Sequence, residues 1–326
     1  MNSRTIAQGL AAIVLTWMAA GAIAQQPAWP ARPVTLIVPT APGSVSENEG
    51  RIHMARLAEN LHQSFIMDFK AGAAGIIGLT YVARSAPDGY TLLLTSASFS
   101  TLPLRDVNLT FDGINAFTPV SLISKRWGVM AVHPSMPGNP AEFVAYAKAN
   151  PGKINYGTSG VGSLQHLTGA WMASVTGIDM TFIHYKGSNP AQLDLVAGRI
   201  QITPITLTSV AQYLKTGKMK ALGLANLTRN PAMPDMPALT EAGWKDFEYS
   251  SWLGVLAPVK TPANVVRLLS SELTKVVKSP DVVKRLEAQT QLIGSTPEEF
   301  GRHINTETER WRKLMKETGI KLAEED

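Results

Sequence analysis

Apolar residues in this chain come in short blocks of strand length, separated by stretches in which they recur at helical spacing. Val34 to Val38, Phe65 to Phe69, Tyr90 to Leu94, Ile154 to Tyr156, Met180 to Tyr185, Ile200 to Ile205 and Lys220 to Ala225 read as strands. Between the first two, Met54, Leu57, Ala58 and Leu61 mark one face of a helix. Local signals place helix starts: Asn139-Pro140-Ala141-Glu142 supplies a capping residue, Pro at the first helical position and a Glu at the third, and Thr296-Pro297-Glu298-Glu299 is a capping box. Thr261-Pro262 starts another helix, with Val266, Leu269, Leu273 and Val277 on one face, so two helices are expected to close the chain. The βα rhythm predicts parallel sheets covered by helices.

Two segments break the rhythm. Around Lys125-Arg126-Trp127 the apolar runs Val120 to Ile123 and Val129 to Val132 sit almost end to end, which suits a crossover into a second lobe. The run from Ser250 to Pro258 suits the return. About 300 residues exceed a typical single domain. The expected organisation is a lobe built from 25–123 plus 254–326 and a second lobe from 124–253. Residues 1–24 read as a cleavable signal peptide: one early positive charge (Arg4), an apolar stretch from Leu10 to Ala20 and the small-x-small ending Ala22-Ile23-Ala24. The apolar stretch is shorter than the roughly 20 residues a spanning helix needs.

Composition narrows the chemistry. With 45% hydrophobic and 17% charged residues the chain is an ordinary globular protein. It has no cysteine, so disulfides, thiolate metal sites and a lipoprotein anchor are excluded. The formal charge of +5, or +4 once Arg4 leaves with the signal, mildly favours small anions. No block of like charge points to nucleic acid or a membrane surface.

Three loops share one composition: Thr40 to Ser46, Gly157 to Ser163 and Lys186 to Asn189, each of small and hydroxyl residues between a strand and a helix. Such loops aim backbone N–H groups at one point, and ligands of open α/β sheets sit beyond the carboxyl ends of the strands. Three together favour ligand binding, and loops from two lobes could converge on one carboxylate. Catalytic motifs fail by comparison. Gly157-Thr158-Ser159-Gly160-Val161 misses the G-x-S-x-G elbow because Val161 replaces the last Gly. The six histidines form no metal-binding spacing, no Gly-Lys-Ser/Thr exists, and Gln165 replaces the third glycine of a dinucleotide fingerprint. No cofactor or metal is expected. The alternative kept open is a secreted serine hydrolase using Ser159 or Ser163 with His166.

The stretches WPARPVTLIVPTAPG (29–43), APDGYTLLLTSAS (86–98), FTPVSLIS (117–124), NPGKINYGTSGVGSLQHL (150–167), HYKGSNPAQLDLVAGRI (184–200) and SSWLGVLAPVKTP (ending at Pro262) resemble, in order and spacing, the Bug-type substrate-binding proteins of tripartite tricarboxylate transporters. The resemblance implies an α/β, two-lobe type II periplasmic-binding-protein fold with a hinge of two crossing segments. It implies a periplasmic receptor, not an enzyme, that clamps a small carboxylate and delivers it to membrane permease subunits; a monomer is expected, and a signalling membrane protein is the other partner considered. The implied ligand-binding residues are Pro42, Gly43, Ser44, Ser46, Ser96, Ser98, Thr158, Ser159, Ser163, Lys186, Gly187, Ser188 and Ile205. The chain departs from the family pattern at Ser44, at Glu47, along Lys70 to Gly75 and at Pro204-Ile205-Thr206. Ser44 narrows the expected pocket floor while adding a hydroxyl. Ile205 makes the expected wall more apolar, which suits an aromatic or longer aliphatic acid.

Overall fold

The computed structural model describes residues 29–320 apart from 41, 43, 44, 106, 107, 186, 250 and 289, and leaves the side chains of Val45, Ser46 and Ala74 undescribed. The expected signal peptide, Gly43, Ser44 and Lys186 therefore lie outside the described residues, as does the side chain of Ser46. In chain order the strands are β1 (Val34–Val38), β2 (Phe65–Phe69), β3 (Thr91–Ser96), β4 (Phe117–Arg126), β5 (Gly128–Val132), β6 (Ile154–Thr158), β7 (Met180–His184), β8 (Ile202–Thr206), β9 (Lys220–Leu224), β10 (Trp252–Pro258) and β11 (Thr290–Leu292). The α-helices are α1 (Val45–Leu61), α2 (Ile76–Ala83), α3 (Pro140–Ala149), α4 (Leu164–Thr176), α5 (Ser188–Val196), α6 (Leu207–Lys215), α7 (Ala263–Lys278), α8 (Pro280–Leu286) and α9 (Pro297–Thr318).

The strands form two sheets, ordered β11-β4-β10-β3-β1-β2 and β7-β6-β8-β5-β9. The expectation of parallel sheets is corrected here, for both are mixed. β1 runs parallel to β2 and β3, and β6 to β7 and β8, but β10 opposes β3 and β4 while β5 opposes β8 and β9. The registers give the reason. Gly128, the first residue of β5, pairs with Thr206, the last of β8; Leu253, at the start of β10, pairs with Ser96, the last of β3. A chain that leaves one sheet at its carboxyl edge and enters the other at that sheet's carboxyl edge must run against its new neighbours. No helical crossover intervenes to turn it round, and parallel pairing requires one. The two crossings thus fix the carboxyl edges of the two sheets toward each other.

The continuous apolar strands are buried on both faces. On one face of the first sheet Leu36, Leu92 and Val255 pack with Met54 and Leu57 of α1 and with Leu269 and Leu273 of α7. On the other, Ile37, Leu93 and Trp252 pack with Leu79 and Val82 of α2 and with Phe300 and Ile304 of α9. Adjacent residues of one strand serve opposite cores because strand side chains alternate. Helix α9 then runs on to the second sheet's helix α4, where Trp311 meets Trp171 edge to face at 5.9 Å and Arg310 lies over the Trp171 ring at 4.9 Å. The caps read from sequence are present: Asn139 Oδ1 accepts from Ala141 and Glu142 N–H, and Thr296 and Glu299 close a reciprocal box. The carboxyl-terminal region holds more than the two expected helices, since α8 and the short β11 lie between α7 and α9.

Candidate functional site

The loops at the facing carboxyl edges carry most of the residues named from sequence. In the first sheet, β1 leads through Pro39, Thr40 and the exposed Pro42 into α1. Glu47 sits in the first turn of α1, where its charge suits the helix N-terminus, and it accepts from Arg51 Nε and Nη2 at 2.8 and 2.7 Å. Helix α2 approaches Pro39 so closely that a Cβ at Gly78 would lie 2.9 Å from the Pro39 ring and 3.0 Å from the Lys70 carbonyl. The glycines of the Gly72–Gly78 stretch serve this close approach and the turn at Gly75 (φ +94°). Ser96 ends β3, and Ala97–Leu104 forms 3₁₀ turns. Ser96 and Ser98 hydroxyls lie 3.4 Å apart, and Arg105 Nη2 donates to the Ser98 carbonyl at 3.2 Å. Arg105 brings a cation to this edge that sequence reasoning passed over.

The second sheet supplies the loop between β6 and α4 and the loop between β7 and α5. They are tied together: Tyr185 N–H donates to the Thr158 carbonyl at 3.1 Å, and Gly187 N–H to the Ser159 carbonyl at 3.2 Å. Tyr185 Oη donates to Asp194 of α5 at 2.8 Å, and Arg199 grips the same carboxylate at 2.6 Å, which braces the second loop from behind. Gln165, buried in the first turn of α4, donates to the Pro204 carbonyl at 2.7 Å and faces Ser188 Oγ at 3.4 Å. One amide side chain thereby joins the start of α4 to β8 and to the start of α5. The signal for it in the sequence was a polar residue on an apolar helix face.

Within Ser159–Ser163 the amides are divided. Gly160 N–H donates to Thr158 Oγ1 at 3.2 Å, Gly162 N–H to His166 Nδ1 at 3.0 Å and Ser163 N–H to the Gly160 carbonyl at 3.3 Å. Ser159 and Val161 N–H meet no acceptor among the described residues. Ser163 Oγ accepts from the His166 backbone N–H at 3.2 Å and so caps α4. Thr158 is fully buried, its hydroxyl 2.7 Å from His184 Nδ1. Ile205, 4% exposed, pairs with Val129 and packs in the core with Trp127, Leu207 and Val210. The structure therefore gathers Ser96, Ser98, Ser159, Ser163, Gly187 and Ser188 at the facing edges and sets Ile205 into the core beneath.

His166 takes its hydrogen bond from a backbone amide and not from a serine hydroxyl, so the pairing a serine hydrolase needs is not the one made. Burial, with His184 nearby, pushes the His166 imidazole down to about 4. Burial, then the charges of Lys125 and Arg310, pushes His303 down to about 3. In the unfolded chain both titrate near about 6.5, so below that pH the unfolded state binds the protons that the folded state refuses. Stability should therefore be full above about pH 7 and fall toward pH 5, by at most roughly 2 kcal/mol for each ring. Denaturant melts across this range check it, and a flat profile from pH 7 to 5 contradicts neutral burial of the two rings.

Two α/β lobes, joined by two direct crossings and facing each other across hydroxyl- and amide-lined edges, define a solute-binding protein of the two-lobe periplasmic type. Residues 50–320 match the family described as the tripartite tricarboxylate transporter family receptor. The chain belongs to that family. It is 34% identical to the UPF0065 protein in the tcbD-tcbE intergenic region of Pseudomonas sp. (strain P51), over 94% of this chain and 93% of that one. Among solved structures it is similar to R. palustris Rpa4515 with adipate (32% identity, TM-score 0.77, covering 90% of this chain and 99% of that one). It is also similar to MatC (Rpa3494) from Rhodopseudomonas palustris with bound malate (27% identity, TM-score 0.71, covering 88% and 99%).

Proposed function

We propose that this chain is a periplasmic receptor that closes its two lobes over a small dicarboxylate or related organic acid and delivers it to the permease of a tripartite transporter. The observation that carries the reading is the pair of amides, Ser159 and Val161, that meet no acceptor among the described residues, in the loop between β6 and α4. Two such N–H groups suit a carboxylate, which only accepts hydrogen bonds. The first lobe would contribute Ser96, Ser98 and the β1–α1 loop, including Gly43, Ser44 and Ser46, with Lys186 and Gly187 completing the second. Relatives solved with adipate and with malate support an organic acid as the ligand class. The lobes would divide near residues 124 and 253, hinge closure would follow the ligand's contacts with both, and the signal-like 1–24 would direct export.

Thermal shift against mono-, di- and aromatic carboxylates tests this. A receptor binds ligand only when folded, so at 100 times Kd a true ligand adds about 2.7 kcal/mol and raises Tm in proportion to the logarithm of its concentration. If no acid raises Tm, while ester substrates are turned over and Ser163→Ala stops that turnover, the hydrolase reading replaces this one.

A further inference from the structure

The loop between β6 and α4 is held in place by the side chain of a residue on the helix it precedes, and the geometry assigns His166 as the residue that positions this loop's free amides for the ligand. The inference rests on the receptor reading above. Gly160 and Gly162 adopt φ of +140° and +74°, conformations that L side chains rarely take, so the loop follows a path that only its glycines permit. Such a path is not self-supporting. Two of its amides are pinned by side chains, Gly160 N–H on Thr158 Oγ1 and Gly162 N–H on His166 Nδ1, beside the backbone bonds of Ser163 N–H to Gly160 and of Gly187 N–H to Ser159. Pinning these two peptide planes fixes the directions of the planes between and beside them, which carry the unpartnered Ser159 and Val161 N–H groups.

The two pins are themselves braced against each other. Thr158 Oγ1 lies 2.7 Å from His184 Nδ1, and the His184 ring meets the His166 ring at 4.8 Å, tilted 74°. His166 also packs on Phe182 at 5.0 Å, its backbone N–H is capped by Ser163, and the residue is 8% exposed. Its ring has little freedom to turn. Acceptance at Nδ1 requires a neutral ring with its proton on Nε2, because an imidazolium would present a second donor to the Gly162 N–H. The ligand needs no contact with His166; the imidazole acts through the loop.

A crossed pair of variants separates this role from plain packing. His166→Asn keeps an acceptor at the Nδ1 position and loses the ring. His166→Phe keeps the ring and loses the acceptor, and the cavity that His166 lines with Ala170, Ala173 and Phe182 leaves room for it. Affinity is measured by titration calorimetry with whichever carboxylate raises Tm most in the wild type. His166→Phe should weaken binding about tenfold or more, the scale of one misdirected hydrogen-bonding group, while His166→Asn stays within about threefold of wild type. The reverse order, or equal losses in both, overturns the assignment. A second measurement needs neither variant nor ligand. In ¹⁵N spectra of the wild-type protein at pH 7, His166 should show an unprotonated Nδ1, with the Gly162 amide protected from exchange. A protonated Nδ1 or an unprotected Gly162 amide overturns it equally. Should no carboxylate bind the wild type, the receptor reading fails, and the spectra still decide whether His166 anchors the loop.

Discussion

Arg126→Met should cost about 3–5 kcal/mol of folding stability, the range for removing one member of a buried ion pair. Arg126 is 6% exposed and Glu49 4%. Arg126 Nη2 donates to Glu49 Oε2 at 2.9 Å, Ser124 Oγ donates to Oε1, and the His53 ring lies 3.8 Å from the same oxygen. Burial works to raise the Glu49 carboxyl, and His53, Arg126 and Ser124 together outweigh it, so its pKa is held low. Without the guanidinium the carboxylate keeps one hydroxyl and one ring as company, and its desolvation is no longer offset. The placement makes the loss more than local. Arg126 ends β4 at the outgoing crossing, Nη1 donates to Ser251 Oγ of the return crossing at 3.3 Å, and Glu49 lies on the helix that follows the first candidate loop. The double variant Glu49→Leu/Arg126→Met removes both charges and should recover most of the loss. Urea unfolding of the three proteins decides: a loss below about 1 kcal/mol in the single variant would mean that the pair does not hold the crossing.

Phe300→Ala should cost about 3–5 kcal/mol through the cavity it leaves. The ring is fully buried and stands perpendicular to Trp252 at 5.3 Å. It lies directly on the backbone of β10, for a Cβ built on Gly254 would sit 2.3 Å from Phe300 Cζ. Gly254→Ala alone should therefore overpack the site and cost about 1–3 kcal/mol. In the Phe300→Ala background the same change should cost nearly nothing, because the clashing ring is gone. Such a coupling is measurable by a double-mutant cycle, and strict additivity would show that the ring can move aside. This contact seats the first half of α9 on the returning strand, while Trp311 seats its second half against α4.

The family resemblance carried the two-lobe fold, and what the residues themselves made legible was local. The caps at Asn139 and Thr296 depend on three or four consecutive residues and stand as read. Strand directions did not show, because β5 and β10 take theirs from which edge the chain enters, a fact of the whole topology. The three residues of β11 and the seven of α8 are too short for periodicity to distinguish. At the candidate site the small-residue loops were visible as composition after strands. Which of their amides are free was not, since that depends on Thr158 and His166 reaching back into the loop. Glu49 and Arg126 are 77 residues apart, and neither is unusual in its own neighbourhood. Ile205 looked like a pocket wall from its place beside Pro204 and Thr206, but strand alternation and its pairing with Val129 turn it into the core.

The most direct test of a two-lobe carboxylate clamp is a crystal structure with the acid that raises Tm most. The account predicts one carboxylate group lying between the two sheets, its oxygens about 2.7–3.1 Å from the Ser159 or Val161 N–H, with further contacts from the Ser96–Ser98 edge of the first sheet. An acid bound to one lobe alone, or bound away from the facing edges with Ser159 and Val161 untouched, would contradict it.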